Sequence, residues 1–290
     1  MSVLSTIKKP ETRAPIITIC GDAGTGKTSL AATFPNPIVI RAEDGLMSIP
    51  ADKRPDAFPL LKSADELWPQ LLALLQEQHD YKTLVVDSVS ACEQLFIKDV
   101  MDRDGRAKSI NQALGGYGAG AAAVAAMHQR LRKGAGLLNE RKGMAIVFIS
   151  HADLEAVRPP DQDDYTRYSL RLMGKSLPPY VDDVDMVGFV RLVSALRGDE
   201  GDRKKIISNG DREVICHATA ASVSKNRFGI AEPLEFAAGE NPFASLFDLP
   251  AVSAAKASKS KAKPEDGAAG AAKAPEHGGT DDEYNPEDFA

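Results

Sequence analysis

Gly21-Asp22-Ala23-Gly24-Thr25-Gly26-Lys27-Thr28 spells G-x-x-x-x-G-K-T, and it directly follows a short apolar run, Pro15 to Cys20, that reads as a buried strand. Glycines in such a loop let the backbone curl until successive amides point inward at phosphate oxygens. Lys27 is then placed to reach the β- and γ-phosphates, and the Thr28 hydroxyl to ligate Mg²⁺. The helix-like run from Ser29 to Phe34 completes the strand–loop–helix context that the motif requires. The chain is therefore expected to bind ATP through Gly21 to Ser29, with Mg²⁺ held by Thr28.

Outward from this loop, strands and helices alternate as in a parallel α/β sheet. Ile38 to Arg41 is a short strand entering Ala42-Glu43-Asp44-Gly45, and Ser63 starts a helix with Leu67, Leu71, Leu74 and Leu75 on one face. Leu84-Val85-Val86-Asp87-Ser88 is a buried strand ending in a carboxylate, and Val89 to Met101 reads as a helix. A glycine-rich stretch, Leu114 to Gly120, leads into an alanine-rich helix running towards Lys142. Ala145 to Ser150 is a further buried strand, ending at His151. Residues 153 to 167 are polar and proline-containing and read as a loop. Met186 to Val193 and Lys204 to Ser208 read as strands, and Asn209-Gly210 before Val214 to Ala218 reads as a hairpin turn.

The 290 residues, 43% hydrophobic and 26% charged, suffice for one sizeable core with room for a tail. The expected organisation is an N-terminal arm over 1–14, one ATPase domain over 15–250 and a disordered tail over 251–290. That tail is built of Ala, Lys, Ser, Gly and Pro. Its acidic end, Asp281 to Ala290, includes Tyr284 and Phe289. It reads either as a docking peptide for a single-strand-binding or other replication protein, or as an inert solubilising segment. Net charge is −6, which excludes a globally basic nucleic-acid binder and confines any DNA contact to a local surface. Cys20, Cys92 and Cys216 are widely spaced, without metal-ligand spacing. No apolar stretch is long enough to cross a bilayer and no secretory leader is evident, so a cytoplasmic protein without a membrane partner is expected.

The second nucleotide motif needs a carboxylate at a strand's carboxyl end, facing Mg²⁺ across the phosphate loop, and Asp87 is the candidate. An Asp at that point can also cap the next helix. Glu43 follows the second strand and can orient the attacking water as a base; Asp44 beside it can do the same. His151 ends the fourth core strand, where a polar side chain can contact the γ-phosphate or serve as a satisfied structural histidine, and Ser150 can share the phosphate contact. Lys225-Asn226-Arg227-Phe228-Gly229 carries two cations at i, i+2, which project to one face of an extended strand. Nearly 200 residues beyond the loop, they suit completion of a neighbouring subunit's site, as arginine fingers do, although a Lys-x-Arg pair by itself equally reads as a solvated edge.

Ser224 to Gly229 resembles the Lys-Asn-Arg-Phe-Gly signature of the RadA/Sms branch of RecA-like ATPases, and Ile40-Arg41-Ala42-Glu43 resembles the strand bearing the catalytic glutamate in the RecA family. With Gly21 to Thr28, Leu84 to Ser88 and Phe148 to His151, the order resembles phage-encoded RecA-like proteins, some of which are single-strand annealing recombinases. The likeness covers roughly residues 14 to 235. It implies a RecA-like core with a mostly parallel sheet flanked by helices, assembly into rings or filaments, and single-stranded DNA bound through axial loops. RadA's four-cysteine zinc motif and protease-like domain, and RecA's C-terminal domain, have no counterpart, which weakens the case for full strand exchange.

DNA contact calls for cations near phosphates and aromatic groups near bases. Candidates are Arg103, Arg106, Lys108 and Tyr117 around the glycine-rich stretch, Arg158, Tyr165, Arg167 and Tyr168 after His151, and the cluster Arg203, Lys204 and Lys205. The leading expectation is a DNA-stimulated ATPase that oligomerises on single-stranded DNA and promotes annealing. A DNA-translocating motor is the alternative, and a nucleotide kinase a weaker one because no arginine-rich lid with a pocket for an acceptor nucleotide stands out. A guanine-reading Asn-Lys-x-Asp is absent, which argues against a regulatory GTPase.

Overall fold

The computed structural model describes residues 3–9, 12–197 and 205–246, which fall within one compact unit, Met1–Leu249. The 251–290 tail lies outside the described residues. In chain order the elements are β1 (Ile16–Gly21), α1 (Lys27–Ala31), β2 (Pro37–Arg41), β3 (Asp56–Ala57), α2 (Leu67–Gln76), β4 (Thr83–Asp87), α3 (Val89–Arg103) and α4 (Ala119–Lys142). They continue with β5 (Ala145–Val157), β6 (Tyr165–Leu170), α5 (Pro178–Val181), β7 (Met186–Arg197), β8 (Lys205–Ile215), β9 (Lys225–Asn226) and β10 (Leu234–Phe236).

The sheet runs β10-β8-β7-β1-β5-β4-β2-β3, with β6 paired to β5 and β9 to β7. From β7 to β3 every neighbour on this path is parallel, whereas β8, β10, β6 and β9 pair antiparallel. The central strands are covered on both faces, which is why β1 and β4 read as unbroken apolar runs. Period-two alternation sorts their side chains into two cores. Ile40, Val86, Ile146 and Phe148 face α2, α3 and α4 through Leu67, Leu71, Phe96 and Leu131. Ile17, Ile19, Val85, Val147 and Val190 face α1, β10 and Phe243 on the other side.

Two expectations are corrected. Residues 153 to 167 are a loop only over 158–164: β5 continues to Val157 and pairs with β6 as an antiparallel hairpin, Ala152 opposite Leu170 and Val157 opposite Tyr165. Asn209-Gly210 is not a turn either. It lies inside β8, where the register with β7 shifts between Leu192 and Ser194 and Gly210 takes φ 89°. A β-bulge absorbs the turn-forming dipeptide there.

Candidate active site

Parallel pairing brings the carboxyl ends of β1, β4 and β2, and the middle of β5, to one edge of the sheet. Gly21 is in register with His151, and Asp87 with Arg41 and Ile149. The loop leaving β1 is thus flanked by Asp87, which ends β4, by the residues that follow β2, and by His151, which does not end its strand as expected but lies within β5 where the pairing with β1 stops.

Within that loop Gly26 adopts φ 91°, a left-handed conformation that glycine enters without steric cost, and α1 starts at the next residue. Lys27 is 6% exposed and its Nζ donates to the carbonyls of Gly21 and Asp22 at 2.9 and 2.8 Å. Burial pulls its pKa below the ordinary lysine range, and the Asp87 and Glu43 carboxylates act in the opposite direction. The Thr25 hydroxyl donates to the Asp22 carbonyl at 2.9 Å, tightening the turn.

Thr28 Oγ1 donates to Asp87 Oδ2 at 2.8 Å. Asp87 is 1% exposed, and burial pushes its carboxyl up to about 6 against the opposing effect of the Thr28 hydroxyl. The helix-capping alternative falls to its neighbour: Ser88 Oγ accepts the Ala91 N–H at 3.2 Å and caps α3, leaving the carboxylate directed at Thr28. Among the described residues no group of three or more His, Cys, Asp and Glu is placed to hold a metal ion. The donor set at Thr28 and Asp87, one hydroxyl and one carboxylate, nevertheless suits Mg²⁺, which characteristically takes a few protein oxygens together with substrate phosphates.

Glu43 is fixed by its backbone, since the Ala42 and Glu43 N–H groups both donate to the Asp87 carbonyl, at 2.7 and 3.2 Å. His151 Nε2 lies 3.0 Å from each Glu43 carboxylate oxygen. That contact, helped by the Ser88 hydroxyl, holds the Glu43 pKa below the ordinary glutamate range. Asp44 instead pairs with Arg41 at 2.6 Å, on the exposed side. Ser150 is wholly buried, hydrogen-bonded to Ser90 at 3.0 Å, while Ser90 Oγ also accepts the His151 N–H at 3.0 Å. Ser150 and Ser90 thereby hold the backbone from which His151 reaches Glu43.

Lys225 and Arg227 are brought together, but elsewhere. Lys225 Nζ donates to the Asp182 carbonyl at 2.8 Å, and Arg227 pairs with Asp185 at 3.0 Å, an acid that also holds Arg13 at 2.7 Å. Burial lowers the Lys225 pKa, and Arg227 adds to that effect. Asp185 donates its N–H to the Ile16 carbonyl at the start of β1, whereas Gly21 ends that strand. Five strand steps separate the two levels, roughly 16 Å. A cavity of about 470 Å³, lined in part by Arg132, Lys133, Asp182, Asp183 and Arg227, opens beside these cations.

Of the DNA-contact candidates, Arg103 pairs with Asp99 and Arg167 with Glu155, while Arg158 lies 3.4 Å from Asp164. Exposed pairs of this kind are weak and exchange readily for other anions. Arg106 and Lys108 are exposed, and Tyr117 is fully exposed at φ 52°. Tyr165 begins β6 half-buried. Tyr168 gives one ring face to Phe189, 4.7 Å between centroids, which leaves less of it for a base. Arg203 and Lys204 lie outside the described residues, and Lys205 opens β8.

Sequence reasoning missed two contributors. Gly45 packs so closely that a Cβ there would lie 2.9 Å from Thr28 Oγ1 and 3.1 Å from Asp87 Oδ2. Its only signal is the Ala42-Glu43-Asp44-Gly45 run itself. Arg212 on β8 donates from Nε to the Thr25 carbonyl at 3.1 Å. Its signal is alternation with the apolar Val214 and Cys216.

A family model described as AAA domain matches residues 13–228, a span that includes the loop, Glu43, Asp87, His151, Lys225 and Arg227. No curated protein gives a significant match to the chain.

Proposed function

We propose, from the premise that this chain belongs to the AAA-domain family and is a P-loop ATPase, that it is a RecA-like protein of phage DNA metabolism. In this reading it assembles on single-stranded DNA and promotes annealing, with ATP hydrolysed between subunits. The observation that carries the reading is the division of the machinery. Loop, Asp87, Glu43 and His151 converge at one end of the sheet, while Lys225 and Arg227 stand together at the other, about five strand residues away. Cations so far from their own loop serve a neighbour's loop if copies stack end to end.

Within a site, the loop amides and Lys27 bind the β- and γ-phosphates. Glu43 accepts a proton from the attacking water once His151 turns from its carboxylate to the γ-phosphate. Thr28 and Asp87 would hold Mg²⁺, which supplies charge neutralisation on the phosphates. The partner's Lys225 and Arg227 offset charge developing in the transition state. The β5–β6 hairpin grows directly out of His151, so a strand that senses the phosphate continues into a segment bearing Arg158, Tyr165 and Arg167. This continuity supports DNA-stimulated turnover.

The test measures ATPase rate and particle mass with and without single-stranded DNA. Stimulation together with a rise in mass is expected. Hydrolysis by an obligate monomer, indifferent to DNA, would sink the assembly reading, and directional movement along DNA would replace it with a motor.

A further inference from the structure

The β7–β8 hairpin brings a cation to the phosphate loop from within the same chain. Arg212 of β8 is in register with Leu192 of β7 and with Phe236 of β10. Alternate strand residues share a face, so Arg212 continues the line of buried Val214 and Cys216 beside α1 towards the phosphate-loop end of the sheet. There its Nε–H donates to the Thr25 carbonyl at 3.1 Å, and a Cβ added at Gly26 would lie 2.9 Å from that nitrogen.

Peptide geometry supplies the consequence. In a trans peptide the C=O and the following N–H point in opposite directions. A donor that holds the Thr25 carbonyl on its own side therefore turns the Gly26 N–H to the other side of the loop. We infer that Arg212 is a positioning residue for the nucleotide's phosphates, locking the Thr25–Gly26 peptide in its anion-binding orientation and lending the loop a guanidinium charge. Lys27 does not perform this task, because its amine is engaged with the Gly21 and Asp22 carbonyls and not with Thr25. Arg212 instead acts on the loop at the Thr25 carbonyl. The close fit also accounts for glycine at position 26 beyond its φ of 91°: the guanidinium occupies the space a side chain would need.

This inference rests on the ATP-binding reading above, and the experiment keeps the two apart. The full chain and its Arg212→Lys, Arg212→Gln and Arg212→Ala variants are titrated with a fluorescent ATP analogue and assayed for steady-state hydrolysis. Kd and KM are expected to rise about tenfold in the Gln and Ala variants, the size of one charge-assisted hydrogen bond, with kcat falling less than KM rises. Arg212→Lys should recover part of the affinity, and millimolar guanidinium should rescue the Ala variant but not the unsubstituted protein. Equal affinity in all four proteins overturns the inference. So does a loss that tracks a collapsed Tm in every variant and resists guanidinium, since that marks a purely structural contact. Failure of the unsubstituted chain to bind the analogue overturns the ATP reading itself.

Discussion

Asp87→Asn should make the nucleotide-free protein more stable while destroying its turnover. Asp87 is 1% exposed, and burial moves its carboxyl from 3.8 to about 6. A pKa raised by folding means that the folded state prefers the protonated form, so ionisation at neutral pH opposes folding. A displacement of this size corresponds to about 2–3 kcal/mol once pH exceeds 7. The cost is fully present above the folded-state pKa, shrinks as pH falls through about 6, and vanishes below 3.8. Asparagine is neutral throughout, and its side-chain oxygen can still accept from the Thr28 hydroxyl, which now meets Asp87 at 2.8 Å.

The assay is thermal and denaturant unfolding in chelator, without nucleotide, from pH 8 down to pH 5. At pH 8 the variant should melt roughly 4 to 12 °C above the unsubstituted protein, for a domain of this size. The gap should fall to about half by pH 5, following the linkage relation. A variant less stable at pH 8, or a gap independent of pH, refutes the reasoning: the carboxylate would then be compensated by Lys27 and Thr28 rather than strained by burial. ATPase activity should drop by more than about a hundredfold, because the residue left at 87 cannot carry the charge a metal needs.

Gly45→Ala places a methyl 2.9 Å from Thr28 Oγ1 at a position with ordinary negative φ, so the penalty is steric alone; overpacking of about 1–3 kcal/mol should appear as weaker Mg²⁺-dependent ATP binding, measured by titration with and without chelator, and unchanged affinity would contradict it. Lys27→Ala should abolish nucleotide binding in the same titration, since it removes the cation facing the β- and γ-phosphates; undiminished affinity would refute that role. Arg227→Ala should bind ATP nearly normally yet hydrolyse it slowly, and mixing it with Glu43→Gln should restore turnover at interfaces that pair an intact Glu43 with an intact Arg227; no recovery on mixing argues against action between subunits.

What the sequence disclosed and what it hid follow from the range of the interactions involved. The phosphate loop is a local device, nine residues whose geometry their own glycines permit, and strands buried on both faces announce themselves as apolar runs. Asp87 could be placed because it ends such a run. The β5–β6 hairpin could not, because Asp153 to Val157 pairs only with its partner strand beyond the sheet's core and carries few residues that must be buried. Asn209-Gly210 is a strong turn signal in isolation, and pairing between β7 and β8 overrode it. Arg212 and the gathering of Arg13, Lys225 and Arg227 around Asp182 and Asp185 depend on segments more than 40 residues apart in sequence. No local pattern specifies those meetings.

Three reactive groups at the carboxyl edge are each engaged by another group of the same chain: Lys27 by two loop carbonyls, Glu43 by His151, Asp87 by Thr28. Such engagement reduces the cost of carrying a buried lysine and a buried carboxylate without ligand, since unpartnered groups there would cost several kcal/mol each, although at Asp87 the Thr28 hydroxyl offsets the burial only in part. It also sets the order of events that the proposed function requires. A triphosphate has to offer Lys27 and His151 better partners before Glu43 is released to a water, so substrate arrival and exposure of the base become one step. The cations that would complete the reaction are held separately, Arg227 by an Asp185 side chain only 10% exposed, at the opposite end of the sheet. If Lys225 and Arg227 act as proposed, a lone chain holds both halves of the machinery but cannot close them on the same phosphate, and contact between copies is then the natural point of control.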